Sequence, residues 1–199
     1  MTAARGPKIA FAVLVAIGFL FTLISFLTPG WRHYQNGGNE PDFGLVTYSC
    51  GSNNNQVNPS DCSAWWKSRQ PWEKAVISFM VFAIIFELIC LFWAIFSCTA
   101  FCCPAVYSPL PVLALISAIC LLVAFVVFAA GNPNDIQYLP TVANQLNANN
   151  QPGYSFWLCV LAFVIMVIAA IVGFFAYSRH VAEYGMVERP RTGHHHNHN

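Results

Sequence analysis

Four long apolar runs constrain what this chain can fold into more than any other feature of its sequence. They cover residues 9–27, 75–96, 110–130 and 154–177, each bounded by Pro, Gly, Asn or charged residues. About 20 apolar residues in a helix are enough to cross a hydrocarbon core of about 30 Å. The chain is 57% hydrophobic and 9% charged, whereas soluble domains carry roughly 25% charged residues. The sequence therefore predicts a membrane protein with four spans in the lipid bilayer.

The spans divide the remaining chain into two loops, a linker and a tail. Loop one covers 28–74, the linker 97–109, loop two 131–153 and the tail 178–199, all within one domain over 1–199. Lys and Arg favour the cytoplasmic side, yet the termini and linker hold five of them and loop one holds four. The cysteines of loop one favour an orientation, because a disulfide persists on the oxidising side. We expect cytoplasmic termini and two extracellular loops.

The first run could also be read as a signal peptide, because Arg5 and Lys8 precede it. A signal peptide has an apolar region of about 7–15 residues and then a small-residue cleavage site. This run is longer and ends at Thr28-Pro29-Gly30-Trp31, so we expect a retained span.

Small residues recur at four-residue spacing inside the spans and let helix backbones approach closely in lipid. The pairs are Ala12 with Ala16, Gly18 with Thr22, Ala114 with Ala118, and Ala169 with Gly173. Together they predict a tight four-helix bundle.

Loop one has the composition of a hairpin. Phe43–Cys50 is rich in aromatic and β-branched residues, and the Asn-rich run 51–59 is typical of a turn. Cys50 and Cys62 flank that turn, where a disulfide could close the hairpin and contribute on the order of 3 kcal/mol. The alternative is two free thiols.

These features resemble the claudin superfamily of four-span membrane proteins, whose first extracellular loop carries a Trp, then Gly-Leu-Trp, then a disulfide-bonded cysteine pair. The residues that carry the resemblance are Trp31, Arg32, Gly44, Leu45, Cys50 and Cys62. Trp65-Trp66 and Pro71-Trp72-Glu73-Lys74-Ala75 look more like the claudin-like group described in nematodes. Val46 stands where the family has its second Trp, and the tail lacks the Tyr-Val type of ending that binds PDZ scaffolds.

The resemblance implies an all-α transmembrane four-helix bundle, left-handed, with a small extracellular antiparallel β-sheet. It implies a Cys50–Cys62 disulfide in that sheet and one further strand from loop two. Trp31 then packs over the hairpin, although its position also suits the aromatic belt at a membrane interface. Trp65, Trp66 and Trp72 are predicted to be belt residues.

Glu87 lies near the middle of the second span, where a charge costs at least about 2.5 kcal/mol. It should face the bundle, be protonated or contact a partner. One interpretation is a docking site for another membrane protein, and the other is an internal hydrogen bond to a group such as Ser25 or Ser117.

Cys98, Cys102 and Cys103 cluster where the second span ends, and juxtamembrane cysteines are candidates for palmitoylation. Unmodified thiols are the alternative, and a zinc site would need four ligands. The histidines at 194–196 and 198 could bind metal loosely, but a disordered polar tail is the expected state. We predict no metal site and no cofactor.

The sequence offers no nucleophile–base pair, carboxylate dyad or metal cluster, so we do not expect an enzyme. A net charge of +1 gives no field that would attract nucleic acid. The resemblance implies a plasma-membrane protein of cell–cell junctions that acts in adhesion or a paracellular barrier and pairs with itself or with related claudin-like proteins. The alternative is an auxiliary subunit bound to the pore subunit of an ion channel or receptor.

Overall fold

The computed structural model describes residues 5–34, 42–46, 67, 69–99, 108–131 and 150–187. Four helices account for most of them: α1 (Arg5–Leu27), α2 (Pro71–Thr99), α3 (Pro109–Gly131) and α4 (Tyr154–Val187). Each contains one of the four predicted apolar runs and is long and apolar enough to cross a membrane. The chain is therefore a multi-pass membrane protein with four membrane-spanning helices.

Prolines define where several of these helices begin and end. Pro71 and Pro109 occupy first helical positions, where the missing N–H of proline has no cost and its fixed φ suits the helix. Gln70 caps α2, since its carbonyl accepts hydrogen bonds from the N–H groups of Glu73 and Lys74 at 3.1 and 3.3 Å. α1 ends two residues before Pro29, because the residue before a proline avoids helical backbone angles.

The helices form a ring in which α1 packs against α2 and α4, and α3 packs against α2 and α4. Buried positions recur with alternating steps of four and three residues on every helix. They are 11, 15, 18, 22 and 25 on α1; 76, 80, 83, 87, 90, 94 and 97 on α2; 110, 114, 117, 121, 124, 128 and 131 on α3; and 155, 159, 162, 166, 169, 173 and 176 on α4. This 3.5-residue spacing is that of helices that supercoil to the left. The left-handed bundle stays a prediction, and the spacing supports it.

The outward faces of the helices are apolar. Phe92, Ile171 and Trp157 are 79%, 63% and 61% exposed. Lipid tails cover such side chains, and in lipid the helices associate through close packing rather than through the hydrophobic effect.

Small residues make that packing close, above all between α1 and α4. A Cβ atom on Gly18 would lie 2.7 Å from Met166 Sδ, and one on Gly173 would lie 2.8 Å from Phe11 Cε2. Ala114 and Ala118 are also buried, whereas Ala12 and Ala16 are only partly buried.

Three short strands lie at one end of the bundle, here called the sheet end. They are β1 (Arg32–Tyr34), β2 (Asp42–Phe43) and β3 (Asn150–Pro152), in the order β2-β1-β3. Both pairings are antiparallel: Arg32 lies opposite Phe43 and Pro152, and His33 lies opposite Asp42 and Gln151. That this sheet is extracellular stays a prediction.

The secondary structure differs from the sequence-based expectation at two places. Among the described residues of the predicted strand 43–50, which are 43–46, only Phe43 is a strand residue. Residues 44–46 bend away from β2 because Leu45 turns inward and is 3% exposed. α4 continues to Val187, well past residue 177. The predictions for Cys50, Cys62, Trp65, Trp66, Cys102, Cys103 and the histidines of the tail lie outside the described residues.

Candidate functional site at the sheet end of the bundle

Trp31 completes the end of α1. The carbonyl of Ser25 would ordinarily accept a hydrogen bond from the N–H four residues later, but that residue is Pro29, which has no N–H. The indole Nε1 of Trp31 donates to Ser25 O instead, at 2.7 Å. Because a buried carbonyl without a partner is costly, Trp31 satisfies a group that the helix-ending proline leaves open.

The Trp31 ring also fills the sheet end of the core. It is 1% exposed, and its centroid lies 4.8 Å from that of Phe128 on α3 and 6.3 Å from that of Phe156 on α4, both edge-on. Such aromatic pairs contribute about 0.5–1.5 kcal/mol each beyond burial. Trp31 is therefore a packing residue at the junction of three helices and not part of an interfacial belt.

Trp72 belongs to the same aromatic cluster, contrary to its predicted place in the belt. Its ring is half-buried, with a centroid 6.0 Å from that of Phe128. A Cβ atom on Gly131 would meet the Trp72 ring within contact distance. The glycine that ends α3 thus makes room for the ring at the start of α2.

Backbone and hydroxyl groups join the turn after α1 to the start of α4. Gly153 N donates to Trp31 O at 3.1 Å, and Ser155 N donates to Gly30 O at 2.8 Å. Ser25 Oγ donates to Ser155 O at 2.7 Å, and the hydroxyls of Thr28 and Ser155 lie 2.6 Å apart. The hydrogen bonds that pair β1 with β3 therefore continue into the contact between the end of α1 and the start of α4.

Gly44 and Leu45 are held against the start of α2. Arg69 Nη2 donates to Gly44 O at 3.0 Å, and Arg69 is 5% exposed. Glu73, in the first turn of α2, is also 5% exposed, at a helix end that favours negative charge. The second part of the family motif is thus fixed to α2, as Trp31 is fixed to α1, α3 and α4.

Arg32 is the first residue of β1 and lies opposite both neighbouring strands. Cys98 lies in the last turn of α2, and nothing is described of its side chain. The structure brings Trp31, Arg32, Gly44 and Leu45 to the same end of the bundle.

Glu87 lies in the interior of the bundle and is not part of the aromatic cluster around Trp31. It is 0% exposed, and its Oε1 atom accepts hydrogen bonds from Thr22 Oγ1 and Ser117 Oγ, both at 3.0 Å. Ser25, which the sequence offered as a partner, bonds Ser155 instead.

Three cysteines with described side chains, Cys90, Cys120 and Cys159, are free and buried. The thiol of Cys159 lies 3.7 Å from Met80 Sδ. Within the described part of the chain, no group of three His, Cys, Asp or Glu residues could hold a metal ion.

Sequence reasoning missed the hydrogen bonds of Thr22, Thr28 and Ser155, because a lone hydroxyl in an apolar run looks like any tolerated small residue. One signal was available: Thr22 and Ser25 are three residues apart on one face of α1, and Pro29 follows Ser25 by four residues.

Comparison with known families gives a match over most of the chain. Residues 1–184 match the family described as "Tight junction protein, Claudin-like". No curated protein matches the chain. The match covers α1 to α3, the three described strands and α4 as far as residue 184, and it includes Trp31 and Gly44-Leu45. The chain belongs to the family of claudin-like tight junction proteins.

Proposed function

We propose that this protein acts at cell–cell contacts, in adhesion or a paracellular barrier, and that the sheet end of the bundle is its working surface. The observation that carries the proposal is that Trp31 is bound to three helices at once. Its indole bonds α1, its ring packs on α3 and α4, and β1 begins at the next residue. Because Trp31 is held by these contacts, the sheet that begins at the next residue has a fixed orientation on the bundle. A surface that pairs with copies of itself needs such a fixed orientation.

The proposal includes several finer assignments. The sheet end faces the cell exterior, the termini are cytoplasmic, and Cys50 and Cys62 form a disulfide in loop one. The run from Pro71 to Ala75 supports a place in the claudin-like group described in nematodes. Cys98, Cys102 and Cys103 are the proposed palmitoylation sites, to be tested by hydroxylamine-sensitive acyl exchange.

The partners in this proposal are copies of the chain or related claudin-like proteins, in the same membrane or across the contact. Among the described residues, β2 and β3 are the outer strands and each pairs on one side, with β1, and edge pairing is a general mode of recognition between chains.

Imaging of tagged protein in cells that lack junctions tests the proposal. We expect enrichment at a contact only where both cells express the protein. Cys50→Ser, Cys62→Ser and the double variant should lose this enrichment to the same degree, because each removes the same bond. Additive losses would show that the cysteines act separately.

A uniform surface distribution of the unaltered protein would overturn the junctional proposal. The auxiliary-subunit alternative would then predict co-purification with a larger pore subunit, lost in Glu87→Ala. The burial of Glu87 and its bonds to Thr22 and Ser117 do not support a docking role for that carboxyl.

A further inference from the structure

One carboxyl group in the bundle interior joins three helices. Glu87 of α2 receives hydrogen bonds on Oε1 from Thr22 of α1 and from Ser117 of α3, each at 3.0 Å. All three residues are 0% exposed. We call this set the Glu87 cluster.

Among the residues that the structure describes, the hydroxyls of the cluster have alternative hydrogen-bond partners, whereas the carboxyl does not. Thr22 Oγ1 has a second acceptor in Gly18 O at 3.0 Å, and Ser117 Oγ has one in Ala83 O at 3.4 Å. Each hydroxyl carries one proton and donates to one acceptor at a time. Removing the carboxyl therefore leaves both hydroxyls with an acceptor on the backbone.

The Glu87 carboxyl has no alternative hydrogen-bond partner among the described residues. Within the described part of the chain, its other oxygen, Oε2, has no hydrogen-bond partner. Without Thr22 and Ser117, no described hydrogen bond to the Glu87 side chain would remain. A buried polar group left without partners costs far more than the net gain of a hydrogen bond.

We propose that Glu87 sets the register of α1, α2 and α3 from inside the bundle, and that Thr22 and Ser117 are the positioning residues that make a carboxyl tolerable there. In lipid, helices associate through van der Waals packing and interhelical hydrogen bonds, so a polar contact inside the bundle adds a preference for one axial position. A single polar contact at a core position is an established means of fixing helix register.

The test compares three proteins: Glu87→Met, Thr22→Val with Ser117→Ala, and all three changes together. Met is unbranched and fills a core gap of similar length. Loss of both donors should lower the unfolding midpoint by about 5–10 °C. The triple variant should return to within about 2 °C of Glu87→Met, because removal of the carboxyl removes the need for donors.

The unfolding midpoint is read from the thiols of Cys90 and Cys159, which are 0% exposed. Thiols that react in the folded protein are first blocked, and labelling of the core thiols is then followed with temperature. The matched control removes two exposed hydroxyls that bond their own helices, by Ser78→Ala and Ser178→Ala. It should leave the midpoint unchanged.

An unchanged midpoint in the Thr22→Val, Ser117→Ala variant would overturn the proposal. So would a triple variant no more stable than that double variant. Where the double variant yields no folded protein, the monodisperse fraction of the triple variant gives the same decision: recovery supports the cluster and no recovery overturns it.

Register is read separately by cross-linking. Leu110→Cys places a second thiol on α3 close to Cys90 of α2, whose Sγ lies 3.6 Å from Leu110 O. Oxidation should join α2 to α3, and adding Glu87→Met should lower the yield at least about twofold. An equal yield in the two proteins would contradict a register role.

Discussion

At the scale of single residues, the end of α1 depends on a proline and a tryptophan together. Pro29 stops the helix and withholds an N–H from Ser25 O, and the Trp31 indole supplies the donor from two residues further on. Trp31 contributes both a hydrogen bond from its indole N–H and the packing of its ring. Two substitutions separate these contributions.

Trp31→Phe keeps an aromatic ring but leaves Ser25 O without its donor. We expect a loss of about 1–2 kcal/mol in the free energy of unfolding. Trp31→Ala also empties the space beside Phe128 and Phe156, for a loss of about 3–5 kcal/mol. The thermal midpoint of the purified protein measures both.

Trp157→Ala is the control for Trp31. Trp157 is 61% exposed on α4, so its loss should change the free energy of unfolding by less than about 0.5 kcal/mol. Equal effects at Trp31 and Trp157 would show that the sheet end does not depend on the indole contact.

At the scale of elements, α1 and α4 meet through backbone as well as side chains. A Cβ atom on Gly153 would collide with Gly30 O, and the Gly30 carbonyl carbon would lie 2.9 Å away. The neighbouring hydrogen bonds, Gly153 N to Trp31 O and Ser155 N to Gly30 O, hold both segments in place.

Gly153→Ala should therefore separate β3 and the start of α4 from the turn after α1. We expect the thermal midpoint to fall by about 5 °C or more, because backbone cannot move aside as a side chain can. Gly6→Ala is the matched change in open space, with nothing within 4 Å. Its midpoint should stay the same or rise slightly, since Ala favours helix; a fall as large as that of Gly153→Ala would contradict the close approach.

The four-residue spacing of small residues predicted most of the close contacts between helices. Hydropathy predicted the four membrane-spanning helices, because it too is a local pattern. It did not predict the length of α4, since Ser178 and Arg179 end an apolar run without ending a helix. It could not pair Ser25 with Ser155 or turn Leu45 inward, because such contacts depend on how separate elements meet. Pro29 was visible in the sequence, but the donor for Ser25 O, the indole of Trp31, was not.

At the scale of the whole molecule, the four membrane-spanning helices alternate in direction, so the start of α1 and the end of α4 lie at the end of the bundle opposite the sheet end. Which side faces the cell exterior is open to a direct test. Asn58 is followed by Pro59 and Ser60, and proline in that place blocks N-glycosylation.

Pro59→Ala should create a working glycosylation acceptor at Asn58 if loop one is extracellular. The control is Pro190→Asn, which creates an Asn-Arg-Thr acceptor in the tail and should stay unmodified. A glycosidase-sensitive mass shift in a gel measures both. Modification of the tail variant alone would reverse the proposed orientation and place the family motif in the cytoplasm.

α4 has one more consequence for the opposite side of the membrane. Its apolar span ends at Arg179, where the guanidinium lies 4.5 Å from the Phe175 ring centroid, and the helix continues through Val187. Those eight further residues form a rod of about 12 Å. A partner that binds the end of α4 at Val187 would therefore lie about 12 Å beyond Arg179, the last residue of the apolar span.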